Sequence, residues 1–199
     1  MKIFQVNAAL LTCFLLVGCG AENTPTENTA KDADTVPGTS IYQLASNWKT
    51  QHGKDLNIAE LGGKVNVLAM VYTSCKAACP RIIADVQRIE MGLGDKKEEV
   101  QFVLVSMDPE NDPPEKLLEL AQNYQLETPN WTLLTGSVGD VLDIANVLDV
   151  RIRRGDDGKI TDHSNLIFVL DKQGVIVHKQ EGLSIPPEES IAAINNLLP

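Results

Sequence analysis

Apolar residues along this chain fall into blocks of two kinds, short unbroken runs and longer stretches with helical spacing. Residues 65–72, Val-Asn-Val-Leu-Ala-Met-Val-Tyr, form a short, mostly aliphatic run between turn residues, which predicts a strand buried on both faces. Ile82, Ile83, Val86, Ile89 and Leu93 then recur every three or four positions and predict a helix over about 80–93. A second apolar run at 100–106 predicts another buried strand. Two parallel strands joined by a helix make a βαβ unit, whose crossover is right-handed.

The remaining blocks extend this core. Residues 41–44 and 56–58 flank the turn His52-Gly53-Lys54-Asp55 and predict an N-terminal β-hairpin, with Trp48 capping the core. After the second strand, 107–114 is a loop, Met-Asp-Pro-Glu-Asn-Asp-Pro-Pro, leading to a helix over about 115–124. Acids ahead of a proline-started helix are most often caps and turn formers, so Asp108 and Asp112 are expected to be structural. A short strand at 131–136 precedes a helix from Ser137 to about 148, with Val138, Val141, Leu142, Ala145 and Leu148 on one face. Next, 150–154 and 159–162 flank Gly155-Asp156-Asp157-Gly158, a strong hairpin signal. Beyond it come His163 in a loop, a strand at 166–170, an antiparallel strand at 175–178 and a helix opened by Pro186 and Pro187. Hairpin, βαβ, then helix, two strands and helix is the element order of an α/β, thioredoxin-like domain, with an extra hairpin excursion before the histidine-bearing strand.

Candidate chemistry gathers where the first buried strand ends. Thr73-Ser74-Cys75-Lys76-Ala77-Ala78-Cys79-Pro80 places two thiols at a strand-to-helix junction, where free N–H groups and the helix dipole favour thiolate. If both cysteines follow the helical path, their Cα atoms lie ~6 Å apart, within the ~4.4–6.8 Å that a disulfide accepts. Two thiolates on adjacent turns equally suit one soft metal ion. The residues leave both possibilities open. Of the three histidines, His163 stands beside the hairpin that can fold over the sheet end; His178 alternates with valines in a strand, and His52 sits in a turn.

Composition narrows the setting. The chain has 199 residues, 43% of them apolar, and a net charge of −10, with no basic strip of the kind that binds nucleic acid. Four cysteines are too few for an oxidised scaffold, and Cys13 and Cys19 lie in the leader, leaving Cys75 and Cys79 in the body. Lys2 followed by an apolar segment over 8–17 is expected to be a signal sequence, residues 1–18. It ends in Leu16-Val17-Gly18-Cys19, which resembles the lipobox of bacterial lipoproteins, implying acylation of Cys19. Gly20 after that cysteine points, by the sorting rule of double-membraned bacteria, to the outer membrane. Residues 19–40, rich in Thr, Asn, Glu, Asp and Pro, are expected to be a flexible tether giving the domain on the order of 25 Å of reach. The folded domain is then 41–199.

Taken together, Tyr72-Thr73-Ser74-Cys75 with Cys79-Pro80, then Ser106-Met107-Asp108-Pro109, Trp131 through Gly136, and Asp162-His163-Ser164 resemble the Sco/SenC family of copper chaperones for cytochrome oxidase assembly. That resemblance implies a thioredoxin-like fold whose Cys75, Cys79 and His163 bind copper as Cu(I) or Cu(II). It also implies partners: an upstream copper donor, a thiol reductant and the copper-bearing subunit of cytochrome c oxidase. Many members carry proline and aspartate after the first cysteine, where this chain has Lys76 and Ala77. The lost negative charge bears on copper affinity or partner choice and leaves the ligand set intact. The rival expectation is a thiol–disulfide oxidoreductase of the cell envelope using Cys75 and Cys79. Against it stands the three-residue gap, since exchangers of this fold usually carry two intervening residues.

Overall fold

The computed structural model describes residues 37–126 and 128–199. The leader 1–18, Cys19 and nearly all of the tether lie outside the described residues. Among those described, no helix is long and apolar enough to cross a membrane.

The chain enters through a 3-10 turn, Ile41–Gln43, where the sequence predicts a strand. Ser40 and a distant loop explain the difference: the Ser40 hydroxyl accepts the Tyr42 N–H and caps the turn, and the Ile41 N–H donates to the Gly174 carbonyl at 3.0 Å. The N-terminal hairpin is present, but its strands are β1, Asn47–Thr50, and β2, Asp55–Asn57. A 3-10 turn, Ile58–Leu61, then leads to β3, Val65–Val71, in which every residue is buried.

The helix α1, Ala78–Gly92, crosses to β4, Val100–Ser106, which pairs with β3 in parallel over its whole length. The helix α2, Pro114–Asn123, the strand β5, Trp131–Gly136, and the helix α3, Val138–Val147, follow. A separate two-stranded hairpin comes next, β6, Ile152–Arg154, with β7, Ile160–His163. The chain closes with β8, Leu166–Leu170, β9, Ile176–Glu181, and the helix α4, Glu188–Asn195.

The seven-stranded sheet runs β2-β1-β5-β4-β3-β8-β9, with β3 at its heart between parallel β4 and antiparallel β8. Alternate residues of β3 serve two cores. Val65, Val67, Ala69 and Val71 pack with Ile82, Ile83, Val86 and Ile89 of α1 and with Leu117 and Ile194. Leu68 and Met70 face Trp48, Val141, Ile144 and Phe168 on the other side. This is a thioredoxin-like α/β domain, and a strand covered on both faces reads as the continuous apolar run seen in the sequence.

The apolar face of one helix is only partly covered. In α3 the buried stripe is Val141, Ile144 and Ala145, followed by Leu148, whereas Val138 and Leu142 are exposed. Those two border an open groove with Met107, Pro109 and Ile152.

Trp48 ties the hairpin to this second core. It is 1% exposed, its indole N–H donates to Ser46 Oγ at 2.8 Å, and a Cβ on Gly136 would come within 2.9 Å of its ring. Trp48→Ala is expected to cost roughly 3–5 kcal/mol and to lower the melting temperature by on the order of 10 °C, measured by thermal and urea unfolding.

Candidate metal and thiol site

The site forms where β3 and β4 end side by side. Beyond Val71 the chain turns, with the Cys75 N–H donating to the Tyr72 carbonyl at 3.2 Å, so Cys75 lies ahead of α1 and outside its helical path. Cys79 sits in the first turn of the helix. Ala77, the residue before α1, offers no side-chain cap, and the Cys75 sulfur takes that place by accepting the Cys79 N–H at 3.3 Å. The expected helix N-terminus is therefore present, with one thiol capping it and the other within it.

A buried carboxylate fixes the turn. Asp112 is fully buried and accepts from the Thr73 N–H at 3.1 Å, the Thr73 hydroxyl and the Ser106 hydroxyl, the last at 2.6 Å. Asp112 and Asp108 are thus structural, as expected, although they form the turn ahead of α2 and do not cap it, its N-cap being Pro113. Asp108 instead pairs with Arg154 of the hairpin at 3.2 Å. These contacts join residues far apart in the chain, so local pattern gives no sign of them. The available hint is polar Ser106 at the end of one mostly apolar strand and Thr73 just beyond the end of the other.

His163 comes to the site as the last residue of β7, opposite Ile152, and not from a loop or the following main-sheet strand. Its Nδ1 lies 3.0 Å from the Ser164 carbonyl, which can only accept, so Nδ1 carries the proton. The Nε2 lone pair is left facing the Cys79 sulfur at 3.9 Å. The ring stands edge-on to Tyr72, with centroids 5.7 Å apart. Cys75 Sγ, Cys79 Sγ and a His163 ring nitrogen all lie within 4.8 Å of one another, a donor set and spacing that can close around a metal ion. His52 and His178 are elsewhere, in the β1–β2 turn and on β9.

The two thiols differ in electrostatics. Burial pushes the Cys75 thiol up, but hydrogen bonds from the Cys79 N–H and thiol, the Ala77 N–H and the Tyr72 hydroxyl outweigh it and bring it down to about 6. Cys79, 3% exposed, is driven well above the ordinary thiol range, first by burial and further by its neighbour Cys75. Tyr72 is pushed up to about 12 by burial and by its bond to Cys75. Both cysteines are free.

A family model described as SCO1/SenC matches residues 40–199. The crystal structure of a SCO1/SenC family lipoprotein from Bacillus anthracis superposes with a TM-score of 0.70 at 29% identity, covering 77% of this chain and 92% of that one. Bradyrhizobium japonicum ScoI with copper bound gives 0.63 at 26%, over 77% and 97%. BsSco, described as a member of the Sco family of cytochrome c oxidase assembly proteins with a disulfide switch, gives 0.66 at 25%, over 76% and 90%.

Thiolate, not thiol, is the nucleophile, so in reduced, metal-free protein iodoacetamide is expected to alkylate Cys75 ahead of Cys79. The Cys75 rate is expected to fall as pH drops through about 6, checked by mass spectrometry across a pH series. Asp112→Ala leaves the Thr73 N–H and the Ser106 hydroxyl unpaired, and is expected to cost roughly 2–4 kcal/mol in urea unfolding.

Proposed function

The chain belongs to the SCO1/SenC family, and from that premise we propose that it carries copper and delivers it to the copper centre of a respiratory cytochrome c oxidase. Cys75, Cys79 and His163 hold the ion. An acylated Cys19 anchors the protein in the bacterial envelope, with residues 1–18 removed as a signal sequence and 19–40 serving as a tether. The copper in ScoI, the lipoprotein description of the Bacillus anthracis protein and the oxidase-assembly description of BsSco are properties of those relatives. They support extending the same role to this chain.

The observation that carries the proposal is the convergence of two sulfurs and one bare imidazole nitrogen. Thiolates suit cuprous ion and imidazole suits cupric ion, so the set accommodates either state. Three ligands at the edge of a domain release metal more readily than a closed four-thiolate cage. Because both sulfurs must be reduced and unprotonated, copper competes with protons and with disulfide formation. A thiol reductant is therefore a required partner, alongside the upstream donor and the recipient subunit.

A second reading is favoured by one specific contrast: a half-exposed Cys75 lowered to about 6 beside a buried, high-pKa Cys79. That is the pairing of an attacking and a resolving thiol in disulfide exchange. Steady reduction of a protein disulfide by metal-free protein, abolished by Cys75→Ser and indifferent to His163→Ala, selects that reading.

The copper reading is tested by titration of His163→Ala. Cupric affinity is expected to fall by more than roughly 100-fold, with loss of the sulfur-to-copper absorption band, while cuprous affinity, resting on two thiolates, falls far less. An unchanged cupric affinity and band removes the histidine from the site.

A further inference from the structure

The histidine is carried on an appendage. The hairpin of β6 and β7 shares no backbone pairing with the main sheet. At its base the Ser164 N–H donates to the Arg151 carbonyl and the Arg151 N–H to Ser164 Oγ. Those bonds join the hairpin's two ends to each other. They close it without seating it on the domain.

Apolar packing seats part of it, since Ile160 is buried in the second core and Ile152 packs against that core, and one polar side chain adds a directional attachment. Arg154 reaches out of β6, beside the bulge in the hairpin, and donates from Nη1 to Asp108 Oδ1 at 3.2 Å and from Nη2 to the Met107 carbonyl at 2.9 Å. Nη1 also donates to the Gly158 carbonyl at 2.9 Å, so the guanidinium holds the hairpin's own turn at the same time. Its side chain is 34% exposed and that of Asp108 7%, which makes this a sheltered, charge-assisted contact. Among the described residues, the other polar contact between the hairpin body and the main fold is that of His163 with Cys79.

The far end of the contact matters as much. Asp108 belongs to the loop after β4, and its carbonyl accepts the Asp112 N–H at 2.9 Å. Asp112 in turn grips Thr73, two residues before Cys75. A single loop therefore fixes both the turn that carries the thiols and the hairpin that carries the imidazole.

We propose that Arg154 is a positioning residue, a latch that seats the hairpin and so keeps His163 Nε2 within reach of Cys79. With the latch closed the ion has three protein ligands; with it open the histidine leaves and two thiolates remain. This deepens the copper reading and rests on it. It adds that the third ligand is held in part by a contact that does not involve the thiols. The apolar groove lined by Met107, Pro109, Ile152 and Arg154 lies beside that contact.

The test uses the folded domain with Arg154→Met, which keeps the stem and removes the donors, and Arg154→Lys, which keeps the charge. In metal-free protein the nuclear Overhauser contact between the Tyr72 and His163 rings is expected to weaken strongly in the Met variant and partly in the Lys variant. In copper-loaded protein, cupric ion is expected to leave the Met variant roughly 10- to 100-fold faster, the range typical of residues that orient a metal ligand. Arg154→Met combined with His163→Ala is expected to release it no faster than His163→Ala alone, because the latch acts through that ring. Should the Met variant fail to fold, the Lys variant is read in the same way.

Wild-type ring contact and wild-type cupric release in the variants would overturn the proposal, as would additive losses in the double variant. If wild-type protein takes up no copper, the functional reading falls, and the ring contact in metal-free protein alone decides the role of Arg154.

Discussion

The site exists only because His163 comes back to Cys79 across 84 positions of sequence, its Nε2 3.9 Å from the sulfur. Neither partner is placed by its own local structure. Cys79 is set by the start of α1, which leaves the end of β3 through a turn clamped by Asp112. His163 is set by a hairpin that stands outside the sheet, and its ring is turned by the bond from Nδ1–H to the Ser164 carbonyl. The sheet brings these pieces near one another, and a small number of buried polar contacts bring them into register. Such contacts fix geometry most firmly when every donor and acceptor is satisfied, as at Asp112.

Within that frame the two sulfurs have separate tasks. Cys75, at the helix start and under the Tyr72 hydroxyl, is the group readily made anionic; Cys79, buried against the core, holds its proton unless something compensates the charge. A metal ion supplies such compensation, whereas transfer of two electrons to an oxidising partner, such as another disulfide, closes the pair and removes both protons and the charge. The same pair can therefore serve metal handling or thiol exchange, and the imidazole tips the arrangement toward metal. An imidazole nitrogen within 4.8 Å of two sulfurs adds little to a disulfide exchanger. To a cupric ion it can supply a ligand.

Much of this was legible in the residues. Val65–Val71, Val100–Ser106 and Trp131–Gly136 announce themselves because strands covered on both faces tolerate little but apolar side chains, and the thiol pair follows at the strand-to-helix junction. The hairpin turn at Gly155-Asp156-Asp157-Gly158 was equally plain, its Gly158 adopting a φ of 77°. Less legible were features decided by distant partners. Residues 41–43 look like strand and form a capped turn because Ser40 and the Gly174 loop hold them there. Val138 and Leu142 have helix-face periodicity, yet both stay exposed beside an open groove. Asp112 reaches Thr73 across 39 positions and Arg154 reaches Asp108 across 46, so no local window reveals either as part of a site.

Copper K-edge X-ray absorption on the cupric-loaded wild-type protein decides whether imidazole and both sulfurs bind one copper ion together, because sulfur and imidazole scatter differently. Two sulfur ligands and one imidazole nitrogen per copper are expected. Sulfur scattering with no imidazole contribution would contradict that arrangement and leave a two-thiol redox pair.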